Sequence, residues 1–292
     1  MNILLAGADG FLGCHVARML VAEGHRVVPV SRRHGVDFAR MRLPADWRGW
    51  LAGVDAVINC VGIIGETCSQ KFAALHTQAP CALFRACAEA GVRRVVQVSA
   101  LGADGQAFSA YHLSKCAADD CLRGLNLDWF VLRPSLVYGP GGHSSALFMR
   151  LAAAPVIPVI GDGRQVVQPV HVSDVVAAVV HCLGSRAPCQ TLDVVGPQCF
   201  TFEEWLQTMR QAQGKPHGRV LRVPMGLVRH AAQWLRHVWP MAQPDNLRML
   251  AQGYRADPAP LSRFLGRAPR AVQPALFLSA TAPLPAQEGQ PS

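Results

Sequence analysis

Two groups of residues in this chain have types and spacing that could do chemistry. Tyr111 and Lys115 form a Tyr-x-x-x-Lys pair. Side chains four apart share a helix face, and an ammonium beside a phenol favours the phenolate, lowering its pKa from ~10 toward neutrality. Such a phenol can give or take a proton. The second group is Gly7, Gly10 and Gly13, directly behind the apolar run Ile3–Ala6 and ahead of an amphipathic stretch. A strand, a glycine turn and a helix N-terminus in that order make a pyrophosphate site: Gly7 permits the turn, Gly10 lets backbone approach phosphate, and Gly13 lets helix and strand pack closely. The free N–H groups of the helix then face the anion.

A dinucleotide site with a Tyr/Lys pair implies hydride transfer to or from nicotinamide, with Lys115 also holding the nicotinamide ribose. The end of the second strand bears on which cofactor. An NAD site places an acid there for the ribose hydroxyls. This chain has Ser31-Arg32-Arg33-His34, with no acid until Asp37. Two guanidiniums can grip a 2′-phosphate, so NADP(H) is the expected cofactor and NAD(H) the alternative. Asp37 and Phe38 are expected beside the adenine. Asp9, inside the glycine turn, is expected to point outward, away from phosphate.

The elements that must hold these residues alternate through residue 200. Strands are expected at Ile3–Ala6, Val27–Val30, Gly35–Phe38, Val54–Val61, Val95–Ser99, Leu127–Leu132 and Thr191–Val195. Helices follow Gly10 and span 69–90 and about Ser109 to Gly124. This predicts βαβ units: a Rossmann-type doubly wound parallel α/β sheet over 1–199, with its ligand beyond the carboxyl ends of the strands. Past residue 200 the reading is a small, mostly helical C-terminal cap over 200–276, with 139–170 contributing to the substrate side. It contains a helix over Thr201–Gln213 capped by Thr201, a strand at Arg219–Val223, a helix over Pro224–Val238 and a broken helical stretch over 244–265. Residues 277–292 read as a disordered tail.

Composition agrees with a sizeable core. Of 292 residues, 50% are hydrophobic and 16% charged, and the mean hydropathy is +0.18. No run reaches the ~20 apolar residues that span a bilayer, and the N-terminal apolar run reads as a strand rather than a signal peptide. Ten cysteines are scattered without Cys-x-x-Cys or zinc spacing, so no metal is expected and a reducing cytoplasm is the expected location. The net charge of +9 carries no nucleic-acid motif. The segment 224–239 sets Arg229, Arg236 and His237 beside Trp234 and Trp239. It is a candidate for peripheral contact with an anionic membrane, although a cap helix covering substrate explains the pattern more simply.

Read together, Gly7-x-x-Gly10-x-x-Gly13, Asp37-Phe38, Cys60-Val61-Gly62, Val98-Ser99-Ala100-Leu101-Gly102-Ala103, Tyr111-x-x-x-Lys115, Leu132 through Pro140 and Gln168 through Asp174 resemble the short-chain dehydrogenase/reductase superfamily in its extended or atypical branch. The Val-Ser-Ala-Leu-Gly-Ala phrase is most similar to the group that includes the accessory nucleotide-binding subunit of respiratory complex I. The resemblance implies that Gly7, Gly10, Phe11, Leu12 and Gly13 hold the pyrophosphate and that Val61 and Gly62 line adenine and ribose. It places Pro134, Leu136 and Val137 at the nicotinamide end and makes Ser99 the hydroxyl that polarises a substrate oxygen. Ser99 stands earlier in its segment than the catalytic Ser or Thr of sugar-nucleotide relatives, which leaves Ser109 as a second candidate. His76 stands where relatives carry Asn, and is expected to be a packing residue. Val167 replaces the arginine that binds a sugar nucleotide's phosphate, with Arg164 close by. Arg133 and Asp174 are expected to be structural.

Two functions from different classes follow. One is an NADP(H)-dependent oxidoreductase acting on a carbonyl or alcohol of a small apolar molecule, with an epimerase or dehydratase as its chemical neighbour. The other is a non-catalytic NAD(P)H-binding protein of assembly or regulation, working beside membrane or quinone redox complexes.

Overall fold

Apolar runs bounded by turns become the strands of one sheet. The computed structural model describes residues 1–228 and 244–278. It begins with β1 (Asn2–Ala6), β2 (Arg26–Val30), β3 (Ala56–Asn59), β4 (Arg94–Val98) and β5 (Asp128–Pro134), joined through α1 (Phe11–Ala22), the short α2 (Pro44–Trp47), α3 (Ala79–Ala90) and α4 (Ala110–Arg123). The chain continues as β6 (Val137–Tyr138), α5 (His143–Ala153), β7 (Val156–Ile160), β8 (Val166–Val167), β9 (Val170–His171), α6 (Val172–Gly184), β10 (Gln190–Val194), β11 (Phe200–Thr201), α7 (Phe202–Ala212) and β12 (Arg219–Val223). Six strands form the main sheet in the order β10-β5-β4-β3-β1-β2, all parallel. Every residue of β3 is buried, as expected for a parallel strand covered on both faces. One apolar layer joins α1 and α6 to the sheet; the other holds Trp47, Leu83, Phe84 and Leu122 beneath α2, α3 and α4. This is the Rossmann-type architecture, with its switch point between β1 and β3.

Three expectations need correction. Residues 35–38 do not form a strand. Val36 and Phe38 are buried, so the segment alternates like one, but Gly35 takes φ 76° and Asp37 caps a 3-10 turn over Phe38–Arg40 by accepting from the Ala39 N–H at 3.2 Å. Nor does the tail begin at 277. The Phe277 ring is buried and lies 5.1 Å from Tyr138 and 5.4 Å from Trp205, centroid to centroid. Residues 279–292 lie outside those described.

The third correction concerns the helical stretch after residue 244. A second lobe is assembled from two stretches, in line with the expected contribution of 139–170, because β12 pairs in parallel with β7 and β11 pairs with β8. A capping box starts α7: the Thr201 hydroxyl accepts from the Glu204 N–H, and Glu204 accepts from the Thr201 N–H, satisfying two helix-end donors. The helix Ala259–Leu265, however, leaves the lobe. Its Leu261 is fully buried in the α1/α6 layer, and Phe264 packs on His181 of α6 with ring centroids 4.6 Å apart. Just beyond it, Arg267 pairs with buried Asp174 of α6 at 2.7 Å, and the Arg270 N–H donates to the same carboxylate at 2.8 Å. Asp174 is therefore a tether for the C-terminal segment.

Candidate functional site

The glycine turn is built as close packing demands. Gly7 takes φ +79°, and a Cβ there would lie 3.0 Å from the backbone of Cys60 and Val61. A Cβ on Gly13 would fall 2.0 Å from the Gly7 carbonyl oxygen, whereas one on Gly10 would sit 3.2 Å from it. Gly10 caps α1 without any side-chain cap, and the first turn contains no acid. The N–H groups opening the helix at Phe11, Leu12 and Gly13 thus have no cap to satisfy them, which suits an anion. Turn, bare helix end and switch point fit a dinucleotide pyrophosphate.

Next to it, the end of β3 is shaped by a residue that sequence reasoning missed. Buried Asn59 donates to Gln97 at 2.7 Å and accepts from the Val61 N–H at 3.1 Å. The chain therefore turns at Val61 and Gly62, beside the glycine loop. A Cβ at 62 would press to 3.3 Å from Lys115 Nζ, so a side chain there would crowd the ammonium.

Lys115 is buried and donates to the carbonyl oxygens of Val61 at 3.0 Å and Val98 at 3.1 Å. It thereby ties the carboxyl end of β3 to that of β4. Burial lowers its pKa from 10.5 to about 8, against the pull of Asp119 and Cys60. An ammonium has three donors, so one remains for a ligand. Tyr111, one turn earlier on α4, has a hydroxyl with no hydrogen-bond partner among the described residues. Its ring is held edge-on by Phe72, His76 and His112, at centroid separations of 5.9, 5.5 and 5.2 Å. The expected lowering of its pKa is not found. Burial, with Asp119 behind it, pushes the phenol up to about 12, because Lys115 turns to the two carbonyls.

His76 has a defined task in this arrangement. It sits in a π-helical turn, Ala73–Gln78, leading into α3, and such turns are frequent at functional sites. Its Nε2 accepts from the Ile63 N–H at 3.0 Å, so Nδ1 carries the proton toward the Ser114 oxygen 3.0 Å away. Burial, then the Lys115 charge, lowers its pKa to about 2. It is a neutral positioning group between the β3 end and the Tyr111 helix.

The two candidate hydroxyls are both engaged. Ser99 is buried and donates to Asp119 of α4 at 2.5 Å. Ser109 is the N-cap of α4, its oxygen accepting from the His112 N–H at 3.1 Å. The wall past β4 is made instead by Leu101 and by Tyr254, whose ring lies against Gly102 and whose hydroxyl is 3.4 Å from His112 Nδ1. That contact crosses 142 residues of sequence, and no local pattern announces it.

The remaining predicted residues divide. Ser31, Arg32 and Arg33 follow β2, and both arginines are exposed, with no ion pair among the described residues. Asp37 is exposed, while Phe38 packs edge-on to Trp47 at 5.3 Å inside the core. Pro134 ends β5; Leu136 and Val137 are half-buried and lead to the loop Gly139–Gly142. That loop borders Phe11, whose ring would lie 3.1 Å from a Cβ on Gly142, and helps line a cavity of about 250 Å³. Most of 224–239 lies outside the described residues. Among the described residues, no helix is long and apolar enough to cross a membrane.

Comparison with known proteins agrees with this geometry. The chain is 29% identical over 236 residues to a ceramide reductase of Caulobacter vibrioides, covering 76% of this chain and 73% of that one. It is 29% identical over 239 residues to NADH dehydrogenase (ubiquinone) 1 alpha subcomplex subunit 9, mitochondrial, of Mus musculus, covering 76% of this chain but only 63% of that protein. The fold superposes on a UDP-glucuronic acid 4-epimerase from Bacillus cereus, solved with UDP-glucuronic acid and NAD, with a TM-score of 0.71 at 16% identity, covering 95% and 96% of the two chains. The model of the NAD dependent epimerase/dehydratase family matches residues 3–190, a stretch that holds the glycine turn, the Tyr/Lys helix and all but the last residues of the sheet, and the chain belongs to that family.

Proposed function

We propose that this protein is an NAD(P)-dependent oxidoreductase, with NADP(H) preferred, that reduces a carbonyl on a small apolar molecule. The observation that carries this reading is the Tyr111 hydroxyl. It is unpartnered among the described residues, and its pKa of about 12 keeps it protonated at any working pH. A neutral phenol is a proton donor, so it suits a carbonyl accepting hydride better than an alcohol losing one. The bound nicotinamide would supply that hydride. Lys115, with its remaining N–H, holds the nicotinamide ribose. Leu101 and Phe72 provide an apolar surround. The likeness to a ceramide reductase supports the reducing direction, and exposed Arg32 and Arg33, without an ion pair among the described residues, support NADP(H). Val167, where an arginine would grip a sugar nucleotide, argues against the epimerase alternative.

The test is NADPH oxidation by the purified protein against a panel of apolar ketones and aldehydes. Tyr111→Phe is expected to cut turnover by roughly 10²–10⁴-fold while NADPH binding stays within about threefold. Equal turnover by Tyr111→Phe would overturn the reading.

A second reading keeps the cofactor and drops the chemistry. Ser99 gives its proton to buried Asp119 of α4, so that proton is not offered to a substrate, and the chain is similar to a complex I subunit. In this reading NAD(P)H is a structural or sensing ligand and the partner is a redox assembly. Tight NADPH binding without turnover on any carbonyl or quinone, together with co-sedimentation on anionic vesicles, would favour it.

A further inference from the structure

The glycine turn carries a carboxylate, and the fold aims it at the end of β2. The Ser31 hydroxyl donates to Asp9 Oδ2. Having given that proton away, the Ser31 oxygen can only accept from His34 Nδ1, 2.9 Å distant. The imidazole is therefore protonated at Nδ1, and a directional chain runs from His34 through Ser31 to Asp9. His34 Nδ1 also lies 3.7 Å from Asp9 Oδ2. Asp9 is an exposed residue, as expected, but its carboxylate is held at the end of β2 rather than free in solvent. Its side chain is 30% exposed, and its other oxygen has no hydrogen-bond partner among the described residues.

Ser31 directly follows β2, where a dinucleotide fold ordinarily keeps the acid that reads the adenosine ribose. In this chain the acid comes from the neighbouring turn. A carboxylate accepts from a free hydroxyl and repels a phosphate, while the flanking Arg32 and Arg33 do the opposite. We infer that Asp9, oriented by Ser31 and His34, reads the 2′-position of the adenosine ribose, favouring NAD(H) and opposing the NADP(H) preference that Arg32 and Arg33 create. The inference rests on the cofactor reading above and assigns selectivity to a contest between one carboxylate and two guanidiniums.

Calorimetric titration of the full chain with NADPH and NADH at fixed salt tests it. Asp9→Asn preserves shape and is expected to tighten NADPH about tenfold while loosening NADH severalfold. Arg32→Ala with Arg33→Ala is expected to loosen NADPH about tenfold and leave NADH within threefold. Ser31→Ala, which frees the carboxylate of its donor, is expected to loosen NADPH relative to NADH and serves as an independent check on folding. If Asp9→Asn leaves the ratio of the two affinities within twofold, or moves it toward NADH, the inference fails while the cofactor reading stands. If the unaltered protein gives heat with neither coenzyme, both fail.

Discussion

The Ser99 hydroxyl, just past β4, donates to the buried Asp119 carboxylate of α4 at 2.5 Å. Asp119 is fully buried, its pKa raised to about 6 by that burial, with Ser99 and then Lys115 opposing the rise. A serine that resemblance assigns to a substrate is thus a donor to the acid lying one helical turn beyond Lys115. Ser99→Ala is expected to cost roughly 1–3 kcal/mol of stability, because a buried acceptor loses its donor. Turnover should change less than about threefold. Urea denaturation run beside steady-state kinetics separates this from a catalytic serine, whose loss would leave stability alone and depress turnover.

The same carboxylate helps to keep Lys115 charged. Asp119→Asn should lower the Lys115 pKa below about 8, so the alkaline limb of cofactor binding moves to lower pH. Lys115 also shapes stability. Its folded pKa lies beneath its ordinary 10.5, so between those values the unfolded chain binds more protons and its contribution to stability rises with pH, flat on either side. Lys115→Met should remove that rise. The difference between the two unfolding free energies, followed from pH 7 to 11, measures it.

Gly13 and Gly10 should part company on substitution. A methyl at 13 would stand 2.0 Å from the Gly7 oxygen, so Gly13→Ala must open the turn and is expected to cost on the order of 1–3 kcal/mol or more and abolish coenzyme binding. Gly10→Ala meets only a 3.2 Å contact. It should keep most of its melting temperature and weaken coenzyme binding by tenfold or more. Thermal melts with and without NADPH compare the two.

Arg267→Ala removes the ion pair of buried Asp174 and leaves it the hydrogen bond from the Arg270 N–H. Arg267 is partly exposed, so a loss of about 2–3 kcal/mol is expected rather than the larger penalty of a fully buried pair. Coenzyme affinity should stay within twofold at low temperature. Denaturation curves and titrations of the same variant check both halves.

Much of this molecule can be read locally. The glycine turn, the α4 pair, the Thr201 cap and the strand Arg219–Val223 each follow from neighbours in sequence, and each stands where its pattern puts it. What could not be read is tertiary. Val36 and Phe38 alternate like a strand because both are buried, yet the Asp37 side chain closes a turn between them. Val156–Ile160 becomes a strand by pairing with Arg219–Val223, a partner some sixty residues away. The direction of Asp9 depends on Ser31, and that of Ser99 on Asp119. The cluster around the phenol was half legible: the Tyr/Lys spacing is visible, but the π-helical turn that brings His76 to Ile63 is not. Nor does spacing show that Lys115 would spend two of its protons on backbone carbonyls.

The return of residues 259–270 to α6 makes the two lobes one cooperative object. The nucleotide-binding half cannot be cut out at residue 199 without stripping Leu261 from its core and Arg267 from Asp174. Two separately made fragments, joined at no peptide bond, should each be poorly folded and should regain coenzyme affinity only on mixing.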